Sequence, residues 1–310
     1  HLGNILGAII PAIEESKKKN DSYLFIADLH SLTQIKDPVE LSENTYSTAA
    51  AWLAFGLDAK RTVFYKQSDV PITAELSWVL SSLFPYNRLK LAHSFKDKAN
   101  RLEDVNSGLF MYPMLMAADI LLYDADEIPV GRDQLQHLEM ARDVASRINH
   151  KVGDLFVLPK PIIQQEAQLI PGTDGEKMSK SRDNIIDLFA TDKEIKKNIN
   201  KNIITDNTPL ESPKDPETST IYNLYKLISS VDESQQMANQ LRAGGYGWGH
   251  AKKDLINCIC EKFAEPKEKF NHFLNNRNEV EDILKEGAIK AKKVAEATLI
   301  RVKNGLGYNS

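Results

Sequence analysis

Residues 22–27, Ser-Tyr-Leu-Phe-Ile-Ala, are a short apolar run rich in aromatic and branched side chains. A run of this length without polar alternation suits a strand buried on both faces, which is the environment of a parallel sheet covered by helices. It ends in Asp28-Leu29-His30, so polar groups gather where an open α/β sheet binds its ligands. An alanine-rich stretch opened by Pro38 predicts a helix over 38–56. Residues 61–66, Arg-Thr-Val-Phe-Tyr-Lys, repeat the strand pattern and lead into Gln67-Ser68-Asp69, and 72–84 reads as a second helix. Strands alternating with helices predict a doubly wound parallel sheet, a Rossmann-like α/β architecture.

The rest of the chain adds to this plan. An apolar-periodic run, Ile5 to Ile13, predicts a helix directly after His1-Leu2-Gly3-Asn4, with Pro11 either tolerated near its start or kinking it. Residues 93–108 are polar and without period, a surface connection. From Met111 to Tyr123 the positions Tyr112, Met116, Asp119, Ile120 and Tyr123 share one helical face. A carboxylate on an apolar face must either reach water or find a partner. Ile128-Pro129-Val130-Gly131 reads as a short strand or turn before Arg132-Asp133-Gln134 and a helix over 134–148 that carries His137. Beyond residue 184 asparagine and lysine become frequent and helices dominate, over 192–203, 219–230, 233–242, 251–264, 266–275 and 278–304. A boundary near 190 is expected, with an α/β domain over 1–190 and a smaller all-helical domain over 191–310.

Two stretches carry chemistry. Residues 172–181, Gly-Thr-Asp-Gly-Glu-Lys-Met-Ser-Lys-Ser, place Lys177 and Lys180 three apart, with hydroxyls at Ser179 and Ser181. Gly172 and Gly175 give the backbone the freedom of a loop. Two compact ammonium groups on such a loop suit a polyphosphate; taken alone, the same letters also fit a solvated basic turn. At the other end of the α/β region, His1, Gly3 and Asn4 stand at a helix N-terminus, whose outward N–H groups favour an anion. That pattern alone equally fits a capped surface helix.

Together the two stretches resemble the paired motifs of class I aminoacyl-tRNA synthetases, the His-x-Gly-His type in its Asn variant and Lys-Met-Ser-Lys-Ser. With Asp28-Leu29-His30, Tyr112-Pro113, Met116-Ala117-Ala118-Asp119-Ile120-Leu121, Val130-Gly131-Arg132-Asp133-Gln134 and His137, the chain is similar to the bacterial-type tryptophanyl-tRNA synthetases over essentially its whole length. The resemblance implies activation of tryptophan by ATP, with Mg2+ carried by the nucleotide and no metal site on the protein, followed by transfer to tRNA. It assigns the nucleotide to His1, Gly3, Asn4, Gly131, Arg132, Asp133, Ile170, Lys177, Met178, Ser179, Lys180 and Ser181. Lys177 and Lys180 would stabilise the transition state. Tryptophan falls to His30, Tyr112, Met116, Asp119, Ile120, Val130 and Gln134, with Asp119 on the indole N–H. The resemblance also implies a homodimer bridged by tRNA and an anticodon-binding C-terminal third. The family carries a first strand and a Gly-Gln-Pro-Ser-Gly-like turn ahead of the His-x-Gly-Asn motif. This sequence starts at His1, so the expectation is a sheet lacking that strand in a chain trimmed at this end. A tyrosyl-tRNA synthetase, or a relative that binds nucleotide or RNA without charging, are the alternatives.

Composition narrows the field. An apolar content of 42% with 26% charged residues is that of an ordinary globular chain. No apolar run reaches the roughly 18 residues of a membrane span. Cys258 and Cys260 are too few for a disulfide framework and lack the four ligands of a structural zinc site, which points to a reduced, cytoplasmic protein. A net charge of −4 argues against a dedicated DNA binder, while the basic excess of residues 193–310 is compatible with an RNA contact there.

Overall fold

The computed structural model describes residues 1–18, 21–92, 105–163 and 170–308. Most of the polar connection at 93–108 therefore lies outside the described residues. The chain divides into two compact units that interleave along the sequence. The first contains His1–Glu15, Ala54–Gly56 and Ala167–Phe273, and the second Ser16–Leu53, Leu57–Glu166 and Leu274–Ser310. The division does not fall near 190. The loop carrying Lys177 to Ser181 groups with the helical part, and the C-terminal helix groups with the strands.

In the second unit, β1 (Ser22–Ile26) pairs in parallel with β2 (Thr62–Lys66), Leu24 opposite Phe64 and Ile26 opposite Lys66. A second parallel pair joins β3 (Glu127–Val130) to β4 (Lys160–Ile163), with Val130 opposite Ile163. β4 is absent from the sequence reading, because Pro161 breaks its short apolar pattern. The helix of 2–18, α1, contains a π-turn at Ile5–Ile9 immediately before Pro11. Proline has no N–H for the carbonyl four residues back and crowds it, and a widened turn relieves both. Helix α2 (Pro38–Ala54) links the first two strands. Helices α3 (Ile72–Leu83), α4 (Ser107–Leu121) and α5 (Leu135–Val152) pack in sequence, α4 against both neighbours. Their common core includes Leu76, Leu80, Met114, Ala117, Ala118, Leu121, Leu138 and Val144, all buried.

The first unit continues with α6 (Asp192–Asn202), α7 (Thr220–Ile228), α8 (Val231–Ala243), α9 (Trp248–Lys262) and most of α10 (Ala264–Asn275). Thr191 with Glu194, and Ser230 with Glu233, form reciprocal capping boxes that start α6 and α8. Phe189 stacks on Phe270 with ring centroids 3.7 Å apart. The last helix, α11 (Arg277–Leu306), lies in the second unit against β2. The middle of its buried face is made of small residues, Gly287, Ala288, Ala291 and Ala295, with Val280, Leu284, Leu299 and Val302 towards the ends. Any Cβ at Gly287 would stand 1.9 Å from the Phe64 carbonyl oxygen, so only glycine permits this approach.

Candidate active site

The loop of residues 170–184 is folded around one buried side chain. Asn184, 2% exposed, donates from Nδ2 to Asp174 Oδ1 at 2.6 Å and to the Lys177 carbonyl at 3.1 Å, and its Oδ1 accepts from the Ser179 amide at 2.7 Å. Gly172 packs so tightly here that a Cβ would lie 2.3 Å from the Asn184 amide carbon. The bond from Asn184, together with those from the Glu176 and Asp174 backbone N–H groups to the same carboxylate, holds the Asp174 carboxyl below the ordinary range. Within this frame Met178 points inward, 5% exposed, while Lys177 and Lys180 are exposed on either side of it. Neither lysine enters an ion pair among the described residues. Ser179 Oγ lies 2.8 Å from Ser181 Oγ and accepts from the Ser181 amide, capping the one-turn helix Lys180–Arg182.

The inward Met178 meets the start of α1. The Gly3 amide donates to its sulfur at 3.1 Å, and the Leu2 amide donates to the Ile186 carbonyl at 2.9 Å. The Asn4 amide donates to His1 Nδ1 at 3.3 Å, so the imidazole caps the helix. The two chemistry-bearing stretches of the sequence thus adjoin within one unit, and Ile170 accepts from the Met178 amide at 2.9 Å. The result is a surface of unpaired lysine charge, two hydroxyls and a helix N-terminus, a combination suited to phosphate oxygens.

The second unit buries a polar cluster at the carboxyl ends of β1 and β2. Asp119, on the last turn of α4, is 7% exposed. Its Oδ2 lies 2.9 Å from His30 Nε2, and Gln67 Nε2 stands 2.8 and 2.9 Å from its two oxygens. An ionised carboxylate only accepts, so His30 Nε2 carries the hydrogen of this bond, and the buried Nδ1 has no partner among the described residues. The Tyr112 ring lies between two imidazoles, its centroid 4.1 Å from His30 and 5.8 Å from His137. His137 Nδ1 bonds Gln134 Oε1 at 3.2 Å. Ile120 and Val130 are buried in the core of this unit, with Met116 packed against it. Burial pushes the Asp119 carboxyl up, against the hydrogen bonds and charge of His30 and the amide of Gln67. Burial likewise raises the Tyr112 phenol, and the neighbouring Asp119 charge adds to it. A charged acceptor is thus set among apolar and aromatic side chains, the environment in which a single N–H donor is recognised strongly.

Gly131 and Arg132 follow the end of β3, Arg132 within the one-turn helix Arg132–Gln134; the side chain of Asp133 lies outside the described residues. Two residues of these clusters escaped the sequence reading, Asn184 and Gln67. Gln67 follows a strand predicted from its apolar run, and a polar residue at that point is the available signal. Asn184 lies past the basic motif, in a stretch without period, and nothing in the letters marks it.

The tRNA synthetases class I (W and Y) family model matches residues 1–264. The tryptophan–tRNA ligase of Fusobacterium nucleatum is 42% identical over 308 residues, spanning 99% of this chain and 94% of that protein. The chain belongs to the tryptophan–tRNA ligase family of class I aminoacyl-tRNA synthetases. The ligase of Campylobacter jejuni shares 42% identity over 99% of this chain and 96% of its own length. A crystal structure of tryptophanyl-tRNA synthetase from the same genus and species, complexed with ADP and tryptophan, superposes with a TM-score of 0.95 at 40% identity, covering 99% and 96% of the two chains. The enzyme from Mycoplasma pneumoniae matches with a TM-score of 0.82 at 28% identity over 100% and 94%. The family assignment favours the tryptophan reading over the tyrosyl alternative, and the Rossmann-like fold of these synthetases accounts for the two parallel strand pairs.

Proposed function

We propose that this chain activates L-tryptophan with ATP to tryptophanyl-adenylate and transfers the amino acid to its tRNA. The observation that carries the choice of amino acid is the buried Asp119. Indole has one polar edge group, an N–H that only donates, and selecting it needs an acceptor among apolar walls. Asp119 is that acceptor, with Met116, Ile120 and Val130 packing the ring. Tyr112 and Gln134 hold the substrate amino group, and His30 orients the Asp119 carboxylate.

The substrate carboxylate attacks the α-phosphate and pyrophosphate leaves, a step that needs no protein nucleophile. What it needs is alignment and relief of charge spreading onto phosphate oxygens. Lys177 and Lys180 supply the charge, with Ser179, Ser181, His1, Gly3 and Asn4 as further phosphate contacts. Ile170, Met178, Gly131, Arg132 and Asp133 complete the nucleotide assignment. Mg2+ arrives with ATP as part of the substrate. The helices of residues 191–310 read the anticodon, the enzyme works as a homodimer, and its compartment is the cytoplasm. No helix among the described residues is long and apolar enough to cross a membrane.

ATP–pyrophosphate exchange measured with tryptophan, with tyrosine and with no amino acid tests the reading. Exchange should depend on tryptophan. Equal exchange with tyrosine would return the assignment to the tyrosyl enzymes, and no exchange with either would leave a non-charging relative.

A further inference from the structure

We propose that Gln67 is a positioning residue for tryptophan selection, holding the Asp119 carboxylate ionised and oriented for the indole N–H. The proposal rests on the reading of Asp119 given above. Gln67 is 1% exposed and stands in the one-turn helix Gln67–Asp69 that ends β2. Burying an amide so completely is costly unless its groups are bonded, and here both ends are. Its Oε1 accepts from the His30 backbone N–H at 3.3 Å, which turns Nε2 toward Asp119, 2.8 and 2.9 Å from the two oxygens.

The turn that carries Gln67 is itself tied down. Asp28, at the end of β1, accepts from the Ser68 amide at 2.9 Å and the Leu29 amide at 3.0 Å, and the Ser68 hydroxyl bonds its other oxygen. Gln67 and His30 are thus placed by one stapled pair of strand ends, and both address the same carboxylate. A carboxylate has about four lone-pair sites. Two protein donors leave capacity for a third, and they favour the ionised form that can only accept. Remove the Gln67 donor and Asp119 is left in the core with His30 alone, free to rotate and readier to hold a proton, in which state it competes as a donor.

The test compares tryptophan with its benzothiophene analogue, 3-(benzothiophen-3-yl)-L-alanine, in which sulfur replaces the indole N–H. The readout is kcat/KM in ATP–pyrophosphate exchange. Gln67→Met keeps the volume and removes the donor. It should lower tryptophan use about 10- to 100-fold, the worth of a hydrogen bond to a charged group, and change use of the analogue less than about threefold, so that the preference collapses. Equal losses on both substrates would mean a purely structural role and would overturn the proposal, as would a parental preference. Should Gln67→Met fail to fold, Gln67→Glu reads the same ratio. It should lose the preference at neutral pH and regain it in acid, where the carboxyl pair holds a proton that can serve as the missing donor. A ratio without pH dependence overturns the proposal. Asp119→Ala, measured alongside, separates the two claims. If it keeps the parental ratio, Asp119 is not at the indole and both fall. If it loses the ratio while Gln67→Met keeps it, only Gln67 is misassigned.

Discussion

The amide of Gly3 donates to the sulfur of Met178 across 3.1 Å and 175 residues of chain. Met178 is the inward residue of a loop whose lysines face out, so its packing sets how that loop sits on the start of α1. Met178→Leu conserves volume and should cost less than about 1.5 kcal/mol. Met178→Ala empties the contact and should cost about 2 kcal/mol or more. Urea denaturation of the two variants checks the order; equal stabilities would mean that the side chain contributes no packing.

The lysines should act on the rate. Lys180→Ala is expected to lower adenylate formation by roughly 100- to 1000-fold, the effect of removing one charge-stabilising group from a transition state, while the tryptophan dissociation constant moves little. Single-turnover kinetics with separate binding measurements decide the matter. Parallel losses in affinity and rate would make the loop structural.

Asp119 makes both stability and substrate use depend on pH, with opposite signs. Burial raises its carboxyl above the ordinary aspartate value of 3.8. The folded state then holds the proton more tightly than the unfolded one. The cost of burying the charge is absent below the unfolded value, sets in as pH rises toward the raised folded value, and is complete above it. Tryptophan use needs the ionised acceptor, so kcat/KM should fall as pH drops through the raised value. Asp119→Asn should lose that acid limb and gain melting temperature relative to the parent above the window. An unchanged acid limb in Asp119→Asn would assign the titration to another group.

Gly287→Ala should be among the most damaging single-atom changes in the second unit. The added Cβ would meet the Phe64 carbonyl oxygen at 1.9 Å, and backbone on both sides leaves little room to yield. A loss of about 3 kcal/mol is expected, at the upper end for overpacking, seen as a lower urea midpoint. A parental midpoint would show that α11 shifts freely on β2.

For tRNA, Lys197→Glu and Lys201→Glu reverse exposed charges on α6. Each should weaken tRNA binding and reduce the slope of log affinity against log salt, leaving tryptophan activation intact. Unchanged tRNA affinity in both would place the contact on other helices.

Local pattern carried much of this molecule into view. Short apolar runs marked β1 and β2, positions sharing one helical face marked α4, and Lys-Met-Ser-Lys-Ser marked a phosphate loop, because strand burial, helical periodicity and charge clustering are all properties of neighbouring residues. Helix α11 shows where that ends. Its period predicts a helix, but nothing in the letters says that its glycine and alanines lie against β2 rather than within the helical unit, since that depends on a surface made more than 200 residues earlier. Pro161 hid β4 in the same way, its strand being held by a partner, β3, that local propensity does not see. Asp119 could be read as a carboxylate on an apolar face, yet its partners His30 and Gln67 come from the ends of two other strands. Whether a buried charge is stable, and which way its lone pairs point, is settled by groups that only folding brings within 3 Å.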